Sequence, residues 1–297
     1  MHNIFRYLDK PAVWDPRNVV FKEETFHPHA KGTGCILDVW DGDYRYIYLR
    51  CSGTLEVDQT MDVSVLLVGG GSGSSGTIYT NTLISAGGAG GGDVREFNLT
   101  LEPSIYTIIV GEGGVGGQGG WLNEFWRVPE TNTYGTGGGA DGYSAIVGVV
   151  SCSEGLAPPY SYAPAHVFDC VHGGDSPSGY VGALYTGGAT IGNGGAGFTE
   201  DGSAFYILGG DYYGGNGGDG ILSSITGEYY GAGGGSNVGY IAPSIDSSSG
   251  VPGLGGNGPN SGGGGQGNFN GASYPWARSA GGSTGGSGLV VVKYKYK

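Results

Sequence analysis

The chain has 297 residues, of which 68 are glycine, only 13% are charged, and the net charge is −13. Glycine is therefore about three times its usual ~7% and charge about half its usual ~25%, a balance foreign to cytosolic enzymes and to highly charged disordered chains. Collagen is excluded as well, because Gly262 to Gly265 run unbroken, the spacers are irregular, and 13 prolines fall far short of the ~15–20% a triple helix needs.

Charge is distributed unevenly. Seven of the 13 basic residues lie in positions 1–50, and between Arg127 and Arg278 there is no lysine or arginine while eleven acidic residues occur. A phosphate-binding surface needs clustered cations, so no nucleic acid or anionic membrane partner is expected for this region. No run of ~18 apolar residues exists, so no membrane insertion is expected either.

In chain order, residues 1–60 read as an N-terminal β region used for attachment, and residues 61–297 as a glycine-rich domain. Residues 1–68 hold only four glycines, so the architecture changes near Val68. Tyr44 to Arg50 and Leu55 to Asp58 show strand-type alternation or β-rich composition, and Val63 to Val68 is a buried-strand candidate. Beyond Val68 the apolar islands are short: Ser104 to Val110, Ser144 to Val150 and Leu289 to Val292.

No segment carries a capped 3.6-residue apolar period, which predicts almost no α-helix. Residues 173–288 are roughly one-third glycine without a fixed repeat. Such segments suit the polyglycine II type of helix, with three residues per turn and no internal hydrogen bonds. Packed side by side, they exchange backbone hydrogen bonds laterally, and Gly214 to Gly220 is a good example. The predicted fold class is all-β, with packed polyglycine II-like helices and long loops.

The ordered series Val65 to Gly71, Ala86 to Val94, Tyr106 to Gly114, Gly142 to Ile146 and Gly285 to Tyr294 resembles the glycine-rich domain of bacteriophage tail-fibre and other receptor-binding virion proteins. The resemblance covers roughly residues 60–295. It implies a virion or extracellular protein with packed polyglycine helices, a homotrimer, and end loops that bind a host surface glycan or outer-membrane protein without catalysis. It also implies docking to other virion or fibre proteins through the N-terminal region. The start of the chain lacks the apolar core of a secretion signal, in keeping with a particle released by lysis. Assembly in a reducing cytosol predicts that Cys35, Cys51, Cys152 and Cys170 remain thiols, although two local pairs are conceivable.

Aromatic residues are the candidate receptor-binding groups: Tyr212, Tyr213, Tyr229, Tyr230, Tyr274, Trp276, Trp121 and Trp126. Their rings combine an apolar face with a polar edge, suited to sugars and protein epitopes; the alternative is that they cover the glycine bundle. His27-Pro28-His29 on a threefold axis would offer six imidazoles to one metal ion, a possible cofactor. Cys152, His166, Cys170 and His172 lack the paired-cysteine spacing of a structural zinc site, and buried thiols are expected instead.

Gly71-Ser72-Gly73-Ser74-Ser75-Gly76 spells a dinucleotide-binding pattern, but the following residues are β-prone where a helix is required. Glu200, Asp201, Asp211, Asp219 and Glu228 could supply a hydrolase with carboxylates, yet acidic residues beside glycine turns are ordinarily solvated turn formers. No catalytic residue is assigned. The competing function classes are a self-assembling filament or decoration protein, and a polysaccharide-degrading fibre protein.

Overall fold

The computed structural model describes residues 29–74, 78–79, 83–117, 120–121, 142–155, 179, 194–204, 206–209, 211–240, 247–248, 251–256, 258–266 and 282–296. Among these there are strands and extended segments and no α-helix. One antiparallel sheet has the order β1 (Ala30–Gly32), β4 (Gly53–Val57), β9 (Ser104–Ile109), β11 (Ser144–Ile146), β12 (Val150–Cys152). A second has the order β2 (Ile36–Asp41), β3 (Tyr44–Leu49), β19 (Leu289–Lys295), β5 (Met61–Val68), β8 (Val94–Leu101).

Three small sheets complete the list. One joins β10 (Gly120–Trp121), β6 (Ile78–Tyr79), β7 (Leu83–Ala86) and β17 (Asn237–Tyr240); another joins β13 (Tyr206–Leu208), β14 (Asp211–Tyr213) and β18 (Ser247–Ser248). The last is the pair β15 (Ile221–Leu222) and β16 (Tyr229–Tyr230).

The two five-stranded sheets pack face to face. Their shared core takes Leu55, Ile108 and Ile146 from the first sheet and Ile47, Val63, Val65, Leu67, Val290 and Val292 from the second. Alternation along the strands produces this: in β3, Arg45, Ile47 and Leu49 point inward while Tyr44, Tyr46 and Tyr48 point outward. Arg45 brings a charge into this mostly apolar interior, at 4% exposure. Its guanidinium donates to both Asp38 carboxylate oxygens (2.8 and 2.6 Å), to the Ala30 carbonyl (2.6 Å) and to the Tyr294 hydroxyl (2.6 Å). A cation this buried needs such a complete set of acceptors, and through Ala30 it ties one sheet to the other.

Strands β1 to β4 come from residues 30–57, on the N-terminal side of the expected boundary after residue 60, yet β3 pairs with β19 and β4 with β9. Residues from both sides of that boundary thus share both sheets. The predicted change of architecture at Val68 coincides with the end of β5. The island from Ser144 to Val150 is divided by a turn, with Gly148 at φ 78°, into β11 and the start of β12.

From the strand ends the chain runs into a bundle of extended glycine segments. Gly69, Gly70 and Gly71 donate their amides to three different neighbours, the carbonyls of Asp93, Gly142 and Gly286, at 2.9, 2.6 and 2.9 Å. Two of these neighbours return after three residues: Ser72 donates to Gly90 and Ser74 to Ser283. Gly282, Gly285 and Gly288 donate likewise to Gly117, Gly114 and Gly111. This period of three is that of the polyglycine II-type helix. Most pairs run antiparallel, but Gly114 and Gly117 donate to Gly71 and Ser74, so those two segments run parallel. Three segments close a triangle, in which Gly195 donates to Gly234, Gly218 to Gly195 and Gly233 to Gly218.

Glycine is required here by closeness of backbones. A Cβ built on Gly70 would overlap the Glu112 carbonyl, and one on Gly71 the Gly263 carbonyl. Gly71 and Gly73 of the dinucleotide-like motif are members of this bundle, and the next described residues, Ile78 and Tyr79, form a strand.

The cysteines divide. Cys35 and Cys51 are joined by a disulfide across Cα atoms 5.3 Å apart, which corrects the expectation that both are thiols. The β2–β3 hairpin brings them together, since Cys35 precedes one strand and Cys51 follows its partner, with Arg50 donating to the Cys35 carbonyl at 2.9 Å. Cys152 is a free thiol at 5% exposure in the sandwich core, behaving as a small apolar group. Cys170 lies outside the described residues.

Two predictions follow from this packing. Replacing Gly70 by alanine is expected to cost about 3 kcal/mol of unfolding free energy in urea, whereas Gly258→Ala changes it by no more than about 0.5 kcal/mol. A Cβ at Gly258 meets nothing within 4 Å, whereas at Gly70 it meets backbone. Burial pushes the Cys152 thiol up to about 12, against a backbone hydrogen bond from Ser144 that opposes the shift. The folded state therefore keeps the proton where the unfolded chain releases it, so this contribution to stability is complete below about pH 9 and lost as pH rises toward 12. Native protein should resist alkylation at Cys152 at pH 8.5, and urea should expose it.

Candidate functional site

The outer face of the second sheet is divided in two. At one end Leu66 and Val68 of β5 and Leu289 and Val291 of β19 form an apolar patch, covered by Ile225 and Tyr230 from the β15–β16 hairpin. This is why both central strands lose their alternation in those stretches and read as continuous apolar runs. Glu96 on β8 holds the hairpin down: its carboxylate accepts from the Ser223 hydroxyl at 2.6 Å, the Ser224 hydroxyl at 2.5 Å and the Ser224 amide at 2.8 Å.

At the other end no described residue covers the sheet, and its face is polar. Register places Tyr46, Lys293, Ser64 and Asn98 in one cross-strand row. The next row holds Tyr44 opposite Lys295, and Asp62 opposite Thr100. The Lys293 ammonium lies 4.9 Å from the Tyr44 ring centre and 5.2 Å from that of Tyr46, a cation–π arrangement that holds both rings beside the rows. Ser64 and Asn98 are joined side chain to side chain at 2.7 Å, and the Thr100 hydroxyl donates to Asp62 at 2.6 Å. A shallow open groove of about 330 Å³ runs along these residues. Both charge signs, an amide, hydroxyls and phenol rings thus line one rigid surface.

The residues picked out by composition are placed differently. Tyr230 is 6% exposed and its hydroxyl accepts from Thr226 at 3.2 Å, so this ring belongs to the core under the hairpin. Its neighbour Tyr229 points outward at 39% exposure. Tyr213 stacks on Tyr206 with ring centres 4.7 Å apart and planes 4° apart, on a hairpin whose Ile207 and Leu208 are exposed. For Tyr212 the structure gives strand pairing with Ile207 and Ser247, and for Trp121 pairing with Tyr79. Trp126, Tyr274, Trp276 and His27 lie outside the described residues, as do His166 and His172.

His29 lies 3.5 Å from the Asp58 carboxylate at the edge of the sandwich. Among the described residues no three histidine, cysteine or acidic side chains converge on a metal-sized site. Asp219 is engaged in structure, its carboxylate accepting from the Leu254 amide at 2.8 Å. The polar sheet face was missed because its parts come from both ends of the chain. The alternation of Tyr44, Tyr46 and Tyr48 was the available signal.

Glu96 ties the covered half of this face to acid. Partial burial disfavours its charge, but the hydrogen bonds from Ser223, Ser224 and Ile225 outweigh burial and hold the carboxyl below the usual range. A carboxyl with a depressed folded-state pKa stabilises the fold above its unfolded value and loses that contribution as pH falls. Acid should therefore lower the exchange protection factor of the Ser224 amide before global unfolding, and Glu96→Gln should lower it at neutral pH.

No curated protein matches the chain. The model of the glycine-rich domain matches residues 51–295, a span that includes most of both sheets and the whole described bundle. The chain belongs to the glycine-rich domain family.

Proposed function

We propose that the protein is a non-enzymatic virion component, a tail-fibre or fibre-tip adhesin that recognises a bacterial surface. The observation that supports this reading is how closely the described interior is packed. Apolar side chains fill the sandwich, and backbone fills the bundle so closely that added methyl groups would strike carbonyls. Recognition then belongs to outward-facing groups on a rigid body, among them Tyr44, Tyr206 and Tyr229. The resemblance of the ordered glycine-rich segments to tail-fibre proteins supplies the biological setting and the expectation of a homotrimer.

Weak surface contacts gain strength by repetition. Three copies per fibre and several fibres per particle raise overall binding by orders of magnitude without a deep pocket.

The test joins native mass with adhesion. Light scattering of the full chain should give a discrete threefold mass, and the labelled protein should bind a subset of bacterial strains saturably, without releasing reducing sugar. An open-ended mass distribution without adhesion would replace this reading with a filament. Glycan cleavage that disappears in Asp211→Asn or Glu228→Gln would replace it with a hydrolase.

A further inference from the structure

We infer that the bare half of the second sheet is a saccharide-binding site, with Tyr44, Asp62, Ser64, Asn98, Thr100 and Lys293 as its contact residues. The inference rests on the reading of the chain as a non-catalytic binder. It assigns the ligand to the sheet face instead of the bundle loops.

Three observations converge. First, the surface is flat and fixed. Its side chains stand in two rows across four hydrogen-bonded strands, and adjacent strands lie ~4.8 Å apart. Second, its polar groups alternate in kind. Asp62 accepts, Thr100 and Ser64 do both, and Asn98 brings an amide whose oxygen is satisfied by Ser64. Among the described residues the Asn98 amide nitrogen and the Lys295 ammonium have no protein partner, and so remain as donors. A sugar's adjacent hydroxyls each donate and accept, which is the complement of such a surface.

Third, phenol rings border the groove. Tyr44 stays 43% exposed beside Lys293, leaving ring surface for the apolar face of a pyranose.

The charges narrow the choice. Asp62 beside Lys293 and Lys295 disfavours a ligand recognised only by negative charge, such as a bare phosphate or sulfate. A peptide would need an apolar pocket for an anchoring side chain, whereas Val63 and Tyr294 at this site are buried. Neighbouring Tyr46 stacks toward Tyr48, with ring centres 6.5 Å apart, so the aromatic border continues along β3 toward the covered half of the face.

The experiment uses the full chain and a panel of defined oligosaccharides built from hexoses, N-acetylhexosamines and uronic acids, with inorganic sulfate as the anion control. At least one oligosaccharide should bind in calorimetry. Tyr44→Ala and Asn98→Ala should each weaken it by about tenfold, the loss expected for one ring contact or one hydrogen-bonding group. Thermal melts check the fold, and if Tyr44→Ala does not fold, Asn98→Ala decides alone.

Absence of binding across the panel, binding that survives the substitutions, or equal competition by sulfate overturns the site. The two proposals fail separately. Adhesion to cells that is unchanged in Asn98→Ala removes this site and leaves the adhesin. Oligosaccharide binding weakened by about tenfold in Asn98→Ala, with no adhesion to any strain, keeps the site and removes the adhesin.

Discussion

Extended glycine segments have no hydrogen bonds of their own, and in this protein each must find them sideways. Gly69, Gly70 and Gly71 reach three different neighbours in successive residues, and the pattern repeats every third position. Described segments such as 69–74 and 282–288 are therefore both donors and acceptors to more than one neighbour, and are not satisfied alone. Buried amides without partners would be costly. The bundle thus forms as a lattice whose stability depends on its members together, and glycine is required at positions such as Gly70 and Gly71, where a Cβ would strike a neighbouring carbonyl.

The sandwich anchors that lattice. Segments 69–74, 110–117 and 282–288 continue directly from β5, from β9 and into β19, so the strand order presets which glycine segments lie side by side. The same strands partition the outer sheet face. Where β5 and β19 approach the bundle they are apolar on both sides and need the hairpin held by Glu96. Farther along they carry Asp62, Ser64, Lys293 and Lys295 and stay open. Scaffold and recognition surface are thus successive stretches of the same two strands.

Much of this architecture was legible in the sequence. Val63 to Val68 and Leu289 to Val292 announce buried strands by composition, and the density of glycine without a collagen period points to laterally bonded helices. What escaped was whatever depends on pairing. Ile36–Asp41 mixes exposed apolar and acidic residues because it is an edge strand, and its pattern carries no clean period. Tyr229 and Tyr230 are adjacent and identical, yet the pleat sends one outward and the other into the core. Cellular redox state argues for thiols at Cys35 and Cys51, but the closing of one hairpin joins them. The groove on the polar sheet face joins Tyr44 to Lys293, a pairing that no local pattern reveals.

Strand β19 occupies the middle of its sheet, between β3 and β5, although it is the last of the described strands in sequence. Arg45 and Tyr294, 249 residues apart in sequence, touch inside the core. A growing polypeptide therefore presents β3 and β5 with a vacant slot until residues 289–295 arrive, and every glycine segment between them waits for its neighbours. Closure over so long a span carries a large entropic cost, and folds dominated by such contacts form slowly. The finished body resists piecemeal opening for the same reason, since the strand that completes the sheet is clasped on both edges and cannot fray from the outside.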